Sequence, residues 1–169
     1  MFGLAPSATW YMGNPADTKM SNLVGNFLYT TKKQWIFSSR SNIFLDKNKW
    51  ILVGDWRYFI TSQPTFGLGS SAPNIPEEDP ARPGVWRGEQ QMDFNLIRFY
   101  ETVLRRIGDS KFYLGMGYHF DLHSKINSFT NEENAPTLEF SHDAYNLARG
   151  FSTERYVLSG VTLNAIMEN

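Results

Sequence analysis

Apolar and polar residues alternate with a period of two along most of this chain. Lys111–Asp121 is the clearest case. Phe112, Leu114, Met116, Tyr118 and Phe120 fall on one side, and Tyr113, Gly115, Gly117, His119 and Asp121 on the other. Side chains of a strand point alternately to two faces, so this spacing predicts a strand with one apolar face. In Trp50–Ile60, the residues Trp50, Leu52, Gly54, Trp56, Tyr58 and Ile60 share an uncharged face, while Asp55 and Arg57 lie opposite with Ile51, Val53 and Phe59. In Arg155–Met167, Val157, Val161, Leu163, Ala165 and Met167 share a face with Ser159, opposite Thr162 and Asn164. The same reading predicts strands over Lys19–Thr30, Gln34–Leu45 and Gln90–Leu104, and a weaker one over Phe2–Met12. Phe94–Ile107 also carries a helical stripe, but its extended run keeps step with its neighbours and is read as strand. Gln90–Leu104 is the least regular, with Arg98 on one face and Asp93, Asn95 and Glu101 on the other. No window shows a helical period with caps at both ends. The predicted fold class is all-β: an antiparallel up-and-down meander of long strands in one domain, residues 1–169.

These runs exceed ten residues, whereas strands of soluble proteins usually have about 5 or 6. A tilted strand crossing a bilayer needs about 9 to 11. The separators differ in length. Thr31–Lys33, Asp46–Lys49 and Arg105–Ser110 are tight turns rich in Lys, Asn, Asp and Gly. Thr61–Glu89 and His123–Glu154 are long, and the first holds Pro64, Pro73, Pro76, Pro80 and Pro83. Both long segments fall at the same end of the meander; the tight turn at Thr31–Lys33 shares that end. Short turns at one end and long loops at the other are the habit of outer-membrane barrels. The strand pattern therefore predicts part of such a barrel, in contact with lipid.

Composition sharpens this picture. The chain has 169 residues, with 16 basic and 17 acidic side chains and a net charge of −1. No basic patch stands out, which excludes a dedicated nucleic-acid binder. There is no cysteine, hence no disulfide or thiol chemistry. Aromatic residues make up 15%, although mean hydropathy is −0.39. Several flank the turns: Tyr29 and Trp35 the first, Phe44 and Trp50 the second. These four are expected at membrane interfaces, where amphipathic rings form girdles; cross-strand aromatic pairing in an ordinary hairpin is the alternative. The longest all-apolar stretch is Trp50–Val53, too short for a membrane helix. Met1–Leu4 has no basic region like that of a signal peptide. The expectation is a cytosolic chain or part of a longer precursor.

Several motifs, in order, resemble the BamA/TamA-type bacterial surface-antigen barrels. They are the hairpin at Tyr29-Thr30-Thr31-Lys32-Lys33-Gln34, the strand Trp50–Tyr58 leading to Gln63–Gly69, the strand Phe112–Tyr118, and Leu158-Ser159-Gly160-Val161-Thr162-Leu163. The resemblance spans nearly the whole chain and rests on the order and spacing of the motifs. It implies the first part of a barrel in the bacterial outer membrane that inserts or exports other proteins. The implied partners are the lipid bilayer, the remaining barrel strands or another chain, and client outer-membrane proteins. Ala148-Arg149-Gly150-Phe151 is similar to the family's Arg-Gly-aromatic motif but comes too early in the order of strands, and a turn with a solvated arginine is the simpler reading.

Candidate polar residues fit a wet lumen. Asp55 and Arg57, with Arg40 on the preceding strand, are expected to form an ion-pair ladder facing it, and His119 and Asp121 are expected to line it. His119, Asp121 and His123 fall on one face, with His142 as a further ligand, so a divalent metal is the alternative there. Glu77-Glu78-Asp79 and Glu132-Glu133 are acidic loop clusters that suit calcium or simple solvation. No arrangement for catalysis is discernible, and no cofactor is expected. Two other readings stay open. One is a self-contained eight-stranded membrane barrel acting as an anchor or adhesin. The other is a soluble lipocalin- or cupin-like ligand-binding barrel, suggested by Gly54-Asp55-Trp56.

Overall fold

The computed structural model describes residues 1–65, 90–129 and 141–168. The chain runs β1 (Phe2–Leu4), β2 (Ser7–Trp10), β3 (Ser21–Tyr29), β4 (Trp35–Leu45), β5 (Trp50–Thr65), β6 (Gln90–Arg106), β7 (Phe112–Phe129), α1 (His142–Ala148) and β8 (Arg155–Met167). The fold is all-β, an up-and-down meander in which sheet order follows chain order from β3 to β8. β1 and β2 occupy one position together, both antiparallel to β3. Proline supplies no backbone donor. Pro6 therefore interrupts this strand, yet its carbonyl still accepts from the Gly25 N–H at 2.8 Å, so the ladder continues past the break. The weak strand expected over Phe2–Met12 is this interrupted one.

Tight turns set the strand ends. Asp46, Lys47 and Asn48 all have positive φ, at 41°, 56° and 61°. The turn is then pinned from several sides. Arg106 Nη2 donates to the Asn48 and Lys47 carbonyls, the Tyr113 hydroxyl donates to the Asn48 carbonyl, and Asn48 Oδ1 accepts from the Lys19 N–H. Lys47 holds a left-handed backbone, and among the described residues its side chain makes only an exposed ion pair, with Asp17 at 3.7 Å. Left-handed geometry costs an L-residue about 1–2 kcal/mol, and exposed pairs return little. Lys47→Gly is expected to stabilise the fold by about 0.5–1 kcal/mol, read as a rise in the denaturation midpoint.

By compactness the chain divides into two units. One comprises Met1–Phe59, Leu96–Leu122 and Val157–Asn169; the other comprises Ile60–Asn95 and His123–Tyr156. In the first unit, the stretches Trp50–Phe59, Leu96–Arg106, Phe112–Leu122 and Val157–Met167 match the 11 residues of β4 to within one residue.

Within that unit the two sheet faces have inverted polarity. On β7, Phe112, Leu114, Met116 and Tyr118 are exposed, Met116 to 59%, whereas Tyr113 is 0% exposed and Gly117 and Asp121 are buried. β5 repeats this, exposing Trp50, Trp56 and Tyr58 while Asp55 and Arg57 are half-buried. A small apolar cluster of Ile51, Leu104 and Tyr113 closes the shielded face near the Asp46–Lys49 turn. Phe44 packs against this cluster, on the face opposite Trp35 and Phe37. The reason is parity: Trp35 and Phe37 share the exposed face, and Phe44, an odd number of residues further on, points the other way.

In the second unit, β7 runs on to Phe129, where a loop was expected from His123. Lys125 has φ 53°, and a residue in that conformation bulges the strand and swaps its faces. Ile126 is buried as a result, out of phase with the residues before Lys125. Helix α1, also within the expected loop, is capped by Ser141, whose hydroxyl accepts from the Ala144 N–H at 3.1 Å.

Candidate functional site

The shielded face of the first unit carries a belt of paired charges. On β5, residues 55 and 57 are two apart and share a face. Arg57 grips Asp55 with two bonds, Nε to Oδ1 at 2.8 Å and Nη2 to Oδ2 at 2.6 Å. Arg40, from β4, donates its Nε to Asp55 Oδ2 at 3.3 Å. One carboxylate therefore serves two guanidinium groups.

A second cluster joins β6 to β7. Arg98 donates Nε and Nη2 to Asp121 at 2.7 and 2.8 Å, and the Tyr100 hydroxyl donates to the same carboxylate at 2.7 Å. The Tyr100 ring stacks on His119, with centroids 4.0 Å apart and planes 7° from parallel, and the Arg98 guanidinium lies over Tyr100 at 4.5 Å. Bidentate arginine–carboxylate pairs are short and orientation-fixed, and a buried charge is tolerable only when paired in this way. Arg98, a misfit in the sequence pattern, thus has its counter-ion on the neighbouring strand. Glu101 lies on the exposed face instead, where its Oε1 accepts from Trp56 Nε1 at 2.7 Å. Gly54 leaves room there, because a Cβ would sit 3.0 Å from that oxygen and 2.7 Å from Ser41 Oγ.

This geometry does not assemble the alternative metal site. Asp121 already accepts three hydrogen bonds, and His119 is engaged in stacking. His123 stacks on Tyr156 at 4.3 Å, and His142 Nε2 is 2.9 Å from Asn146 Nδ2. Among the described residues no three His, Cys, Asp or Glu side chains come together to hold a metal. The acidic clusters Glu77-Glu78-Asp79 and Glu132-Glu133 lie outside the described residues. Arg149-Gly150-Phe151 forms the stop of α1. Gly150 has φ 71°, its N–H donates to the Leu147 carbonyl, and the Phe151 N–H donates to the Asn146 carbonyl. This double bond pattern ends helices at a left-handed glycine. The Arg149 guanidinium lies over the Tyr145 ring at 4.3 Å.

A cavity of about 530 Å³ opens on the shielded face across β3, β4 and β5. Its wall includes Asn22, Asn26, Asn42, Ser38, Arg40 and Arg57. The antiparallel register sets Asn22 opposite Asn42 and Asn26 opposite Ser38, which brings the amides into one row. Sequence alternation puts these residues on one face; their convergence with Arg57 comes from strand register. No protein-family model matches this chain, and neither a curated protein nor a solved structure matches it.

Proposed function

We propose that the chain is a segment of a β-barrel of the bacterial outer membrane, with its exposed face against lipid and its paired charges toward a wet lumen. The observation that carries this reading is the inverted polarity of the first unit. On β7 the exposed side chains are Phe112, Leu114, Met116 and Tyr118, while the buried or half-buried ones include Gly117, His119 and Asp121. A soluble sheet shelters its apolar face and wets its polar one. A barrel in lipid does the reverse. The strand length of about eleven residues in that unit supports the same reading. So does Arg105, which sits on the exposed face over the Trp50 ring at 5.2 Å, a pairing suited to a membrane boundary.

The resemblance to the BamA/TamA-type barrels gives this proposal its finer form: a role in inserting or exporting outer-membrane proteins. Its partners are then the bilayer, the strands that complete the barrel, and client proteins. The protein's own contribution is a lipid-compatible wall with a neutralised, hydrated interior; no catalysis is assigned to it.

The test is Met116→Arg in chain refolded into phospholipid vesicles. A cation at mid-height on a lipid-facing strand is expected to cost about 2–4 kcal/mol of folding free energy. If the face meets water, an exposed substitution changes stability by less than about 0.5 kcal/mol. That smaller change, in a protein soluble without detergent, would overturn the membrane reading.

A further inference from the structure

We infer that the cavity across β3, β4 and β5 is a binding site for an oxyanion, a carboxylate or phosphate group carried on a polar ligand. The inference concerns the shielded face alone and does not rest on what covers the exposed one.

The charges around this cavity do not balance. Arg40 and Arg57 both line it, and among the described residues no acidic side chain does. Asp55 is the carboxylate that serves them both, and Arg57 takes it in a two-bond grip. Arg40 reaches it through Nε alone, at 3.3 Å. The Arg40 side chain is 69% exposed, and among the described residues its two Nη groups make no hydrogen bond to protein. In the second cluster Arg98 takes Asp121 in a two-bond grip, Nε and Nη2 both engaged. The surplus positive charge therefore sits at the cavity, with the fork of a guanidinium turned out of its ion pair.

The remaining wall is suited to a polar ligand body. Asn42 Nδ2 donates to Asn22 Oδ1 at 3.4 Å, and Asn26 Nδ2 to Ser38 Oγ at 3.5 Å. Both bonds are long, so these amides keep capacity for further partners. Phe59 adds an aromatic ring to the wall, and Val24 a small apolar contact. A fork of two Nη donors matches the two oxygens of a carboxylate or phosphate. Lysine would supply only a point charge here.

The experiment is a titration of the full chain, in the medium that supports its fold, at constant ionic strength held with chloride. Inorganic phosphate is the probe in one arm and acetate in the other. The readout is the NMR shift of the arginine Nε–H signals. Saturable shifts of the Arg40 and Arg57 signals are expected in at least one arm. Phosphate alone would identify a phosphate ligand, acetate alone a carboxylate ligand, and both together the shared oxyanion chemistry. Arg40→Gln is expected to weaken binding at least tenfold. Asn42→Asp, which adds a negative charge to the wall, is expected to abolish it. Shifts that never saturate in wild type would overturn the inference. So would unchanged affinity in either folded variant, whichever of the two retains the β-sheet circular dichroism spectrum.

Discussion

Asp121→Asn is expected to destabilise the protein by about 3–5 kcal/mol, measured by chemical denaturation in the medium that supports the fold. The substitution keeps the shape of the side chain and removes its charge. In the native structure that carboxylate, 6% exposed, takes two bonds from Arg98 and one from Tyr100. The variant leaves the half-buried Arg98 guanidinium without its counter-ion, and an uncompensated buried charge costs far more than a missing surface pair. The Tyr100–His119 stack is held by the same carboxylate, so it loosens as well. Replacing both partners, as in Arg98→Met with Asp121→Leu, is expected to recover a large part of the loss. A cost below about 1 kcal/mol for Asp121→Asn would mean that water already screens the pair.

Gly115→Ala is expected to prevent β6 and β7 from pairing as they do, with a loss above about 4 kcal/mol. An added Cβ would collide with the Val103 carbonyl oxygen and lie 2.7 Å from Leu104 Cα. Both are backbone atoms, so no side chain can swing aside, and the strands themselves must separate. Leu104 belongs to the cluster with Ile51 and Tyr113, and the shift would open that cluster too. Gly160→Ala on β8 is the control: nothing lies within 4 Å of its added Cβ. It is expected to change stability by less than about 0.5 kcal/mol. Equal tolerance of both substitutions would sink the close-approach account of Gly115.

Most strands were legible because alternation and turn chemistry agreed. Trp35–Leu45 and Trp50–Thr65 begin within a residue of where the pattern changes, and Asp46-Lys47-Asn48 was readable as a turn from its residue types. Where the phase of the alternation changes, legibility failed. Lys125 swaps the faces of β7, so the residues after it fall out of step with the clean alternation of Lys111–Asp121. Helix α1 has only seven residues, too few for a helical stripe to register. Its signals were present in Ser141 and Gly150, a cap and a stop nine residues apart. Arg98 looked misplaced because its partner is 23 residues away on the next strand. The grouping of Arg40, Asp55 and Arg57 could be read, since residues two apart on one strand and a cross-strand neighbour need only register. The cavity could not, because its amide row depends on which residue of β3 faces which of β4.

The interrupted strand formed by β1 and β2 has a consequence for how this sheet can be completed. It runs antiparallel to β3, and each later strand of the meander reverses the one before. Among the described residues the ladder has seven positions, so its two outer strands, β1–β2 at one margin and β8 at the other, point the same way. Joining those margins directly would make a parallel seam in an otherwise antiparallel wall. Two copies related by a twofold axis parallel to the strands would meet with parallel seams on both sides. A ring with antiparallel neighbours throughout needs an odd number of further strands between β8 and β1. One added strand satisfies that condition, nine satisfy it, and a second copy of these seven in the same orientation does not.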